Sequence, residues 1–270
     1  MLMRIEYRPG NSMLHRLDVR VKLLGFVVVL VATFLFGRWE INLGLTALAV
    51  SLTVWARIGV RQVLRTLAPL AVIVVIVMVF AAYSFRGENL SDPANAEAMF
   101  SLPGGALPLT AGAVSYGISL GLRIVTMVLM TLLLLFTTPI DDFVAAMRQA
   151  RVPHVIVFIV MTALRFIPTM QERADQVLDA QRARGAHIDD GGTLRRIRAF
   201  VPVMVPLITS GIRMSDDLAA AMINRGWGAT KRPTALHTLR LAARDWVATA
   251  VLLLVLVAVI AAFANGIGAL

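Results

Sequence analysis

Cysteine is absent from this 270-residue chain, which excludes disulfides, thiolate metal ligands and cysteine nucleophiles together. No Gly-x-x-x-x-Gly-Lys-Ser/Thr stretch occurs, so the chain cannot hold ATP in the P-loop manner. His-Glu-x-x-His and Gly-x-Ser-x-Gly are missing as well. Histidine is scarce: His15, His154, His187 and His237 are scattered, none inside a predicted span. Lone histidines carry little mechanism without partners, so they read as surface or interface residues rather than metal ligands or catalytic bases. Carboxylates are lacking within the long apolar runs, where Arg123 is the only charge away from a span end. A charge at that depth faces a partner helix or water rather than lipid. With no carboxylate in a span to pair with it, a proton relay within this chain is disfavoured. No inverted repeat is evident, which argues against a stand-alone carrier with its own substrate site.

Apolar residues are what the chain has in plenty. They make up 58% of it, and the mean hydropathy is +0.78, the composition of an integral membrane protein. The formal charge of +10 is carried by basic residues that flank apolar runs, an orientation signal and not a nucleic-acid patch. Span one is expected over Val19–Phe36, with Arg20 and Lys22 snorkelling to the interface. Gly37-Arg38-Trp39-Glu40 leads directly into the next span with no small-residue cleavage site, so a cleavable signal peptide is not expected. Span two is Ile41–Trp55, bounded by interfacial Trp39 and Trp55. Arg57, Arg61 and Arg65 then line a short amphipathic stretch, and span three runs Leu67–Phe85. Residues 86–110 form a polar Pro/Gly-rich insert with Glu88, Asp92 and Glu97 against Arg86. Span four is Ala111–Phe136, and Trp246–Phe263 is a fifth.

Between Pro139 and Arg244 the longest apolar run, Val155–Leu164, suits an interfacial or buried helix better than a span. That region holds 15 Lys/Arg against 9 Asp/Glu, a net +6. The basic amino terminus, the Arg57–Arg65 stretch and this region fall on one side of the membrane, and the acidic insert on the other. The basic side is expected to be cytoplasmic, with the amino terminus inside and the carboxyl terminus outside. The expected organisation is a membrane domain over 1–138 with four spans, a cytoplasmic domain over 139–244 and a final span within 245–270.

Two long helical stripes fill the cytoplasmic region. Val160, Leu164, Ile167, Gln171, Ala174, Leu178 and Gln181 recur at spacings of three and four, as do Leu194, Ile197, Val201, Met204, Ile208, Gly211, Ser215, Leu218 and Met222. Ala174, Gly211 and Ser215, midway along, predict a close crossing there, because small side chains let backbones approach. Each stripe ends alike, in Ala183-Arg184-Gly185 and Asn224-Arg225-Gly226. An Arg-Gly end is an ordinary C-cap with a charge that suits the helix dipole. Two of them on neighbouring rods point further, since an exposed arginine fork bonds a carboxylate bidentately. Acidic pairs offer a rival reading. Asp175-x-x-x-Asp179 places two carboxylates on one face, as an Mg-dependent prenyl-diphosphate-type enzyme would need. The blander account is surface pairing with Arg173 and Arg182, while Asp141-Asp142 and Asp189-Asp190 suit helix starts.

The sequence Tyr7-Arg8-Pro9-Gly10-Asn11-Ser12-Met13-Leu14-His15-Arg16-Leu17-Asp18-Val19-Arg20-Val21-Lys22-Leu23 and the two Arg-Gly ends, the second followed by Trp227-Gly228, resemble the T component of energy-coupling factor (ECF) importers, the EcfT-type transmembrane scaffold. The likeness covers nearly the whole chain. It departs from the family pattern at Asn224, usually Ala, and at Val19, often Pro, and the 86–110 insert is long for the family. The resemblance implies an all-α polytopic membrane protein of about five transmembrane helices with a pair of long crossed coupling helices in the cytoplasm. It implies a non-catalytic scaffold in the plasma membrane of a prokaryote, with no cofactor or metal of its own. Ala183, Arg184, Gly185, Asn224, Arg225 and Gly226 would dock onto two ABC-type ATPase subunits, which bind the ATP and Mg. A separate substrate-binding S component in the membrane would take up a vitamin or a transition-metal ion such as cobalt.

Overall fold

The computed structural model describes residues 14, 17–84, 98–101, 108–185, 193–229 and 242–266. The opening motif before Leu17, Leu14 excepted, lies outside these residues. So do most of the 86–110 insert, His15, His187, His237 and the Asp189-Asp190 pair. The regular structure of the described residues is helical apart from one short hairpin. Among them eight helices run in order: α1 (Val19–Leu35), α2 (Trp39–Trp55), α3 (Val60–Ser84), α4 (Ala111–Thr137), α5 (Ile140–Gln149), α6 (His154–Ala183), α7 (Thr193–Asn224) and α8 (Ala243–Ala264). Two strands, β1 (Ala98–Ser101) and β2 (Pro108–Thr110), pair antiparallel inside the insert with a bulge between Ala98 and Phe100. The chain divides into two compact units, Met1–Ala146 with Leu239–Leu270, and Met147–Thr238.

In the first unit α4 packs against α1, α2 and α3, and α1 packs against α8. Small residues permit these approaches. Ala49 of α2 and Ala56, its C-cap residue, are buried against Leu129, Met130 and Leu133 of α4. A Cβ on Gly121 of α4 would lie 2.5 Å from Met78 Sδ on α3, so glycine alone fits that crossing without a shift. The interior mixes apolar and polar side chains, while the outside is largely apolar. Thr33, Asn42, Ser119 and Thr126 are buried, whereas Ile76, Phe80, Leu254 and Val257 are exposed. Such an arrangement fits a surface facing lipid, where backbone and side-chain polar groups must be satisfied within the protein.

Among the described residues four helices, α3, α4, α6 and α8, are long and apolar enough to cross a membrane. The expected first two spans, α1 and α2, have 17 residues each, about 25 Å at 1.5 Å per residue, the short limit for a hydrocarbon core of about 30 Å. The stripe that ends at Ala183-Arg184-Gly185 is one unbroken helix, α6, and the apolar run after Pro153 forms its first half. From His154 to Gln171 it carries Arg165 as its one formal charge, while Glu172, Arg173, Asp175, Asp179 and Arg182 follow. The apolar and charged halves thus meet near Gln171 within one continuous helix. The Arg57–Arg65 stretch and the third span likewise merge. Helix α3 begins at Val60 and continues through Pro69, because a lone proline removes one hydrogen bond without ending a long helix whose flanks remain bonded.

Arg123 is answered by backbone and an aromatic ring. Its Nη2 donates to Phe36 O at 3.3 Å, and its guanidinium lies 5.2 Å from the Phe34 ring centroid. Asn42 Nδ2 donates to the same carbonyl at 2.9 Å and to Ser119 Oγ at 2.8 Å. Below it Thr46 and Thr126 share a hydroxyl hydrogen bond of 2.8 Å. This polar seam joins α1, α2 and α4 at the turn after Leu35, and no carboxylate takes part in these contacts.

Candidate partner-docking site

Helix α6 enters directly after Pro153, whose fixed φ suits a helix start. Helix α7 carries Pro202 and Pro206 within it, and α6 carries Pro168. In the second unit the two run antiparallel. The Trp227 ring just past α7 packs on Phe158 and His154 near the start of α6, with centroids 4.7 and 5.4 Å apart. At the other end Gln181 Nε2 reaches Pro202 O at 3.5 Å. Between these contacts lies an open groove of about 540 Å3 with Arg173, Gln176, Thr209, Arg213 and Asp217 on its walls. The small residues midway do not make the expected close crossing, for a Cβ on Gly211 would meet nothing within 4 Å. Contact is made instead at the two ends, by Gln181 at one and by aromatic rings at the other, which bury more area than Ala or Gly can.

The two Arg-Gly ends share one geometry. In α6, the Arg184 amide donates to Ala180 O and Gln181 O, both at 3.2 Å, and the Gly185 amide to Arg182 O at 2.9 Å. In α7, the Arg225 amide donates to Ala221 O and Met222 O at 3.2 Å, and the Gly226 amide to Ile223 O at 3.0 Å. The Trp227 amide reaches back to Met222 O at 2.9 Å, which completes a Schellman end. Gly185 and Gly226 hold φ of 82° and 72°, the left-handed region that side chains with a Cβ disfavour. Ala183 and Asn224 are the last residues of their helices, and all six residues of the two triplets are exposed. The fold does not bring the triplets together. Antiparallel packing sets Arg225 near the level of Phe158, 26 residues before Arg184, so the tips stand about 40 Å apart at 1.5 Å per residue.

Helix-end demand alone does not require glycine in this chain. Arg57 after α2 and Arg151 after α5 adopt φ of 55° and 61°. Their neighbours Ile58 and Val152 make the same long backbone return, to Thr53 O and Met147 O, at 3.3 Å each. Glycine appears at the two tips and at Gly266 after α8, with open space beyond all three, but only at the tips does an arginine precede it, where another surface can approach it closely.

The family of cobalt transport proteins CbiQ matches residues 10–235 of this chain, a stretch that includes both tips. The chain belongs to the CbiQ family. Among its relatives, the energy-coupling factor transporter transmembrane protein EcfT of Ruminiclostridium cellulolyticum is 30% identical over 254 residues, 91% of each chain. EcfT of Thermosediminibacter oceani is 30% identical over 89% of each chain, and that of Lactococcus lactis 28% identical over 89% of this chain and 90% of its own.

In this CbiQ-family protein Asp179 and the Asp141-Asp142 pair take the bland role. Asp179 pairs with Arg182 at 3.2 Å, with both side chains more than half exposed, a geometry worth little energy. Asp141 and Asp142 open α5. Sequence reasoning missed two sets of residues. The Asn42–Ser119 and Thr46–Thr126 pairs lie on helices 77 and 80 residues apart in the chain, a pairing that spacing within one helix cannot reveal. The packing role of Trp227 was signalled only by its place beside the second Arg-Gly end.

Proposed function

We propose that this protein is the energy-coupling membrane scaffold, the T component, of an ECF-type importer. It catalyses nothing itself. Arg184 and Arg225 seat in acidic grooves on two ABC-type ATPase subunits, which bind the ATP and Mg and whose closing and opening moves the tips. The apolar faces of α6 and α7, with Ile159, Ile167, Ile208 and Ile212 half or more exposed, carry a separate substrate-binding membrane subunit. That subunit takes up a vitamin or a transition-metal ion. In this reading the tips lie on the cytoplasmic side, which the excess of basic residues in 139–244 supports. The observation that carries this reading is the pair of like-built helix ends, each exposing an arginine, at opposite ends of one antiparallel rod pair.

The test is a detergent pull-down of the tagged chain beside the double charge reversal Arg184→Glu/Arg225→Glu, with co-purifying proteins identified. ATPase subunits that come down with wild type and not with the double variant support the docking role. A small membrane protein retained by both variants identifies the substrate subunit. ATPases bound equally by both would reduce the arginines to helix caps. Mg-dependent turnover of a prenyl diphosphate by the purified chain would overturn the scaffold reading itself.

A further inference from the structure

The chain passes between its two compact units at 146/147 and again at 238/239. Within the membrane unit, both approaches to these crossings are held by the first turn of α1. On the outgoing side, Lys22 Nζ donates to Thr137 O at 2.7 Å. Thr137 is the last residue of α4, so this carbonyl is one that the helix itself leaves without a partner, and the ammonium complements the negative end of the dipole. The carboxylates of Asp142 in the first turn of α5 and of Asp18 both attract that ammonium. On the returning side, Asp245 in the first turn of α8 is 2% exposed. Its Oδ2 accepts from the Ala242 amide at 2.8 Å, and its Oδ1 accepts from the Asp18 amide at 3.2 Å. One carboxylate thus caps α8 and grips the N-cap residue of α1. Asp18 in turn caps α1 through its own side chain, accepting from the Arg20 amide at 3.0 Å.

We propose that Asp18, Lys22 and Asp245 form a clamp that ties both chain crossings to the start of α1 and passes motion of the 147–238 unit into the membrane helices. They are positioning residues, and the proposal rests on the coupling role given above. The stiffness has a physical source. A buried carboxylate with both oxygens engaged cannot release one bond without leaving a desolvated charge underused. Asp18 as the N-cap of α1 and Lys22 just inside the helix set both grips at the same end of α1, so the outgoing and returning segments of the chain answer to one rigid element. Without the clamp, the 147–238 unit moves while α4 and α8 stay where they are.

The absence of cysteine allows spin labels at Ile140→Cys and Val247→Cys, both at exposed positions, in the full chain in lipid nanodiscs. Their distance distribution is compared among wild type, Lys22→Met, Asp245→Asn and Lys22→Arg, each admitted only if it elutes as monodisperse protein. The same variants, assembled with their ATPases and substrate subunit in liposomes, are assayed for uptake and ATP hydrolysis together. Lys22→Met and Asp245→Asn are expected to broaden the distance distribution and lower uptake per ATP hydrolysed about tenfold, the worth of one hydrogen bond to a charged group. Hydrolysis itself should persist, and Lys22→Arg should restore both readouts. An unchanged distribution in both variants overturns the clamp. A broadened distribution with uptake per ATP unaltered, or uptake and hydrolysis falling in step, overturns its part in coupling. If no ATPase assembles with wild type, the scaffold reading has failed instead, and the distance measurement still decides the clamp.

Discussion

Truncating the two tip arginines separately and together tests the docking geometry most sharply. Neither guanidinium makes a hydrogen bond or ion pair among the described residues, and both side chains are exposed. Arg184→Ala and Arg225→Ala should therefore leave folding within about 0.5 kcal/mol of wild type. In the complex, each arginine is expected to meet a carboxylate in a desolvated groove. Removing one partner of such a pair costs about 2–5 kcal/mol, which is a loss of about 30-fold to a few thousand-fold in affinity. The antiparallel packing of α6 and α7 sets the tips about 40 Å apart by helical rise, well beyond the 7–10 Å over which substitutions couple and several times the screening length of about 8 Å at physiological salt. The free-energy losses should thus add in the double variant to within about 0.5 kcal/mol. Arg→Lys at either tip should recover only part of the loss, because an ammonium keeps the charge but not the fork. The assay is ATPase binding to the immobilised, detergent-solubilised chain at fixed ionic strength, with circular dichroism as the folding control. Single variants within threefold of wild type would refute the anchoring role. A double variant no weaker than the worse single would refute the picture of two separate sockets.

Other consequences concern the frame around the tips. Gly226→Ala should cost about 1 kcal/mol through its left-handed φ alone, since no atom lies within 4 Å of the added Cβ. Faster amide exchange at Arg225 and Trp227 would register it, and unchanged exchange would contradict the assigned conformation. Arg57→Gly, at φ 55°, should shift thermal stability the other way by a similar amount. A double-mutant cycle of Thr46→Val and Thr126→Val should give a coupling of about 0.6 kcal/mol, the average for hydrogen bonds between membrane helices, and none if the seam between α2 and α4 is not formed. Gly121→Ala should destabilise by about 1–3 kcal/mol through overpacking against Met78, and Met78→Ala should relieve most of that loss.

The helical class, the membrane character and the two Arg-Gly ends were legible from the chain because each is a local property. Apolar run length, three-and-four spacing and a Gly beside a C-terminal Arg need no knowledge of neighbours. The boundaries were less so. Helix α3 extends back to Val60, because an amphipathic stretch and an apolar one fuse when nothing between them breaks the backbone hydrogen bonds. The expected crossing at Ala174 and Gly211 failed for a different reason. Small residues permit close approach but do not compel it, and the rings of Trp227, Phe158 and His154 bury more surface.

What the sequence determined by itself was therefore the inventory: which segments are helices, which carry positive charge and which two ends present an arginine. Tertiary structure alone decided the relations among them. It set Arg184 and Arg225 at opposite ends of one pair and gave Arg123 the Phe36 carbonyl for a partner. It also joined Asp18 to Asp245 across 227 residues. Hydrogen bonds and ring contacts act over a few ångströms in space, so separation along the chain carries no record of them until the helices have packed.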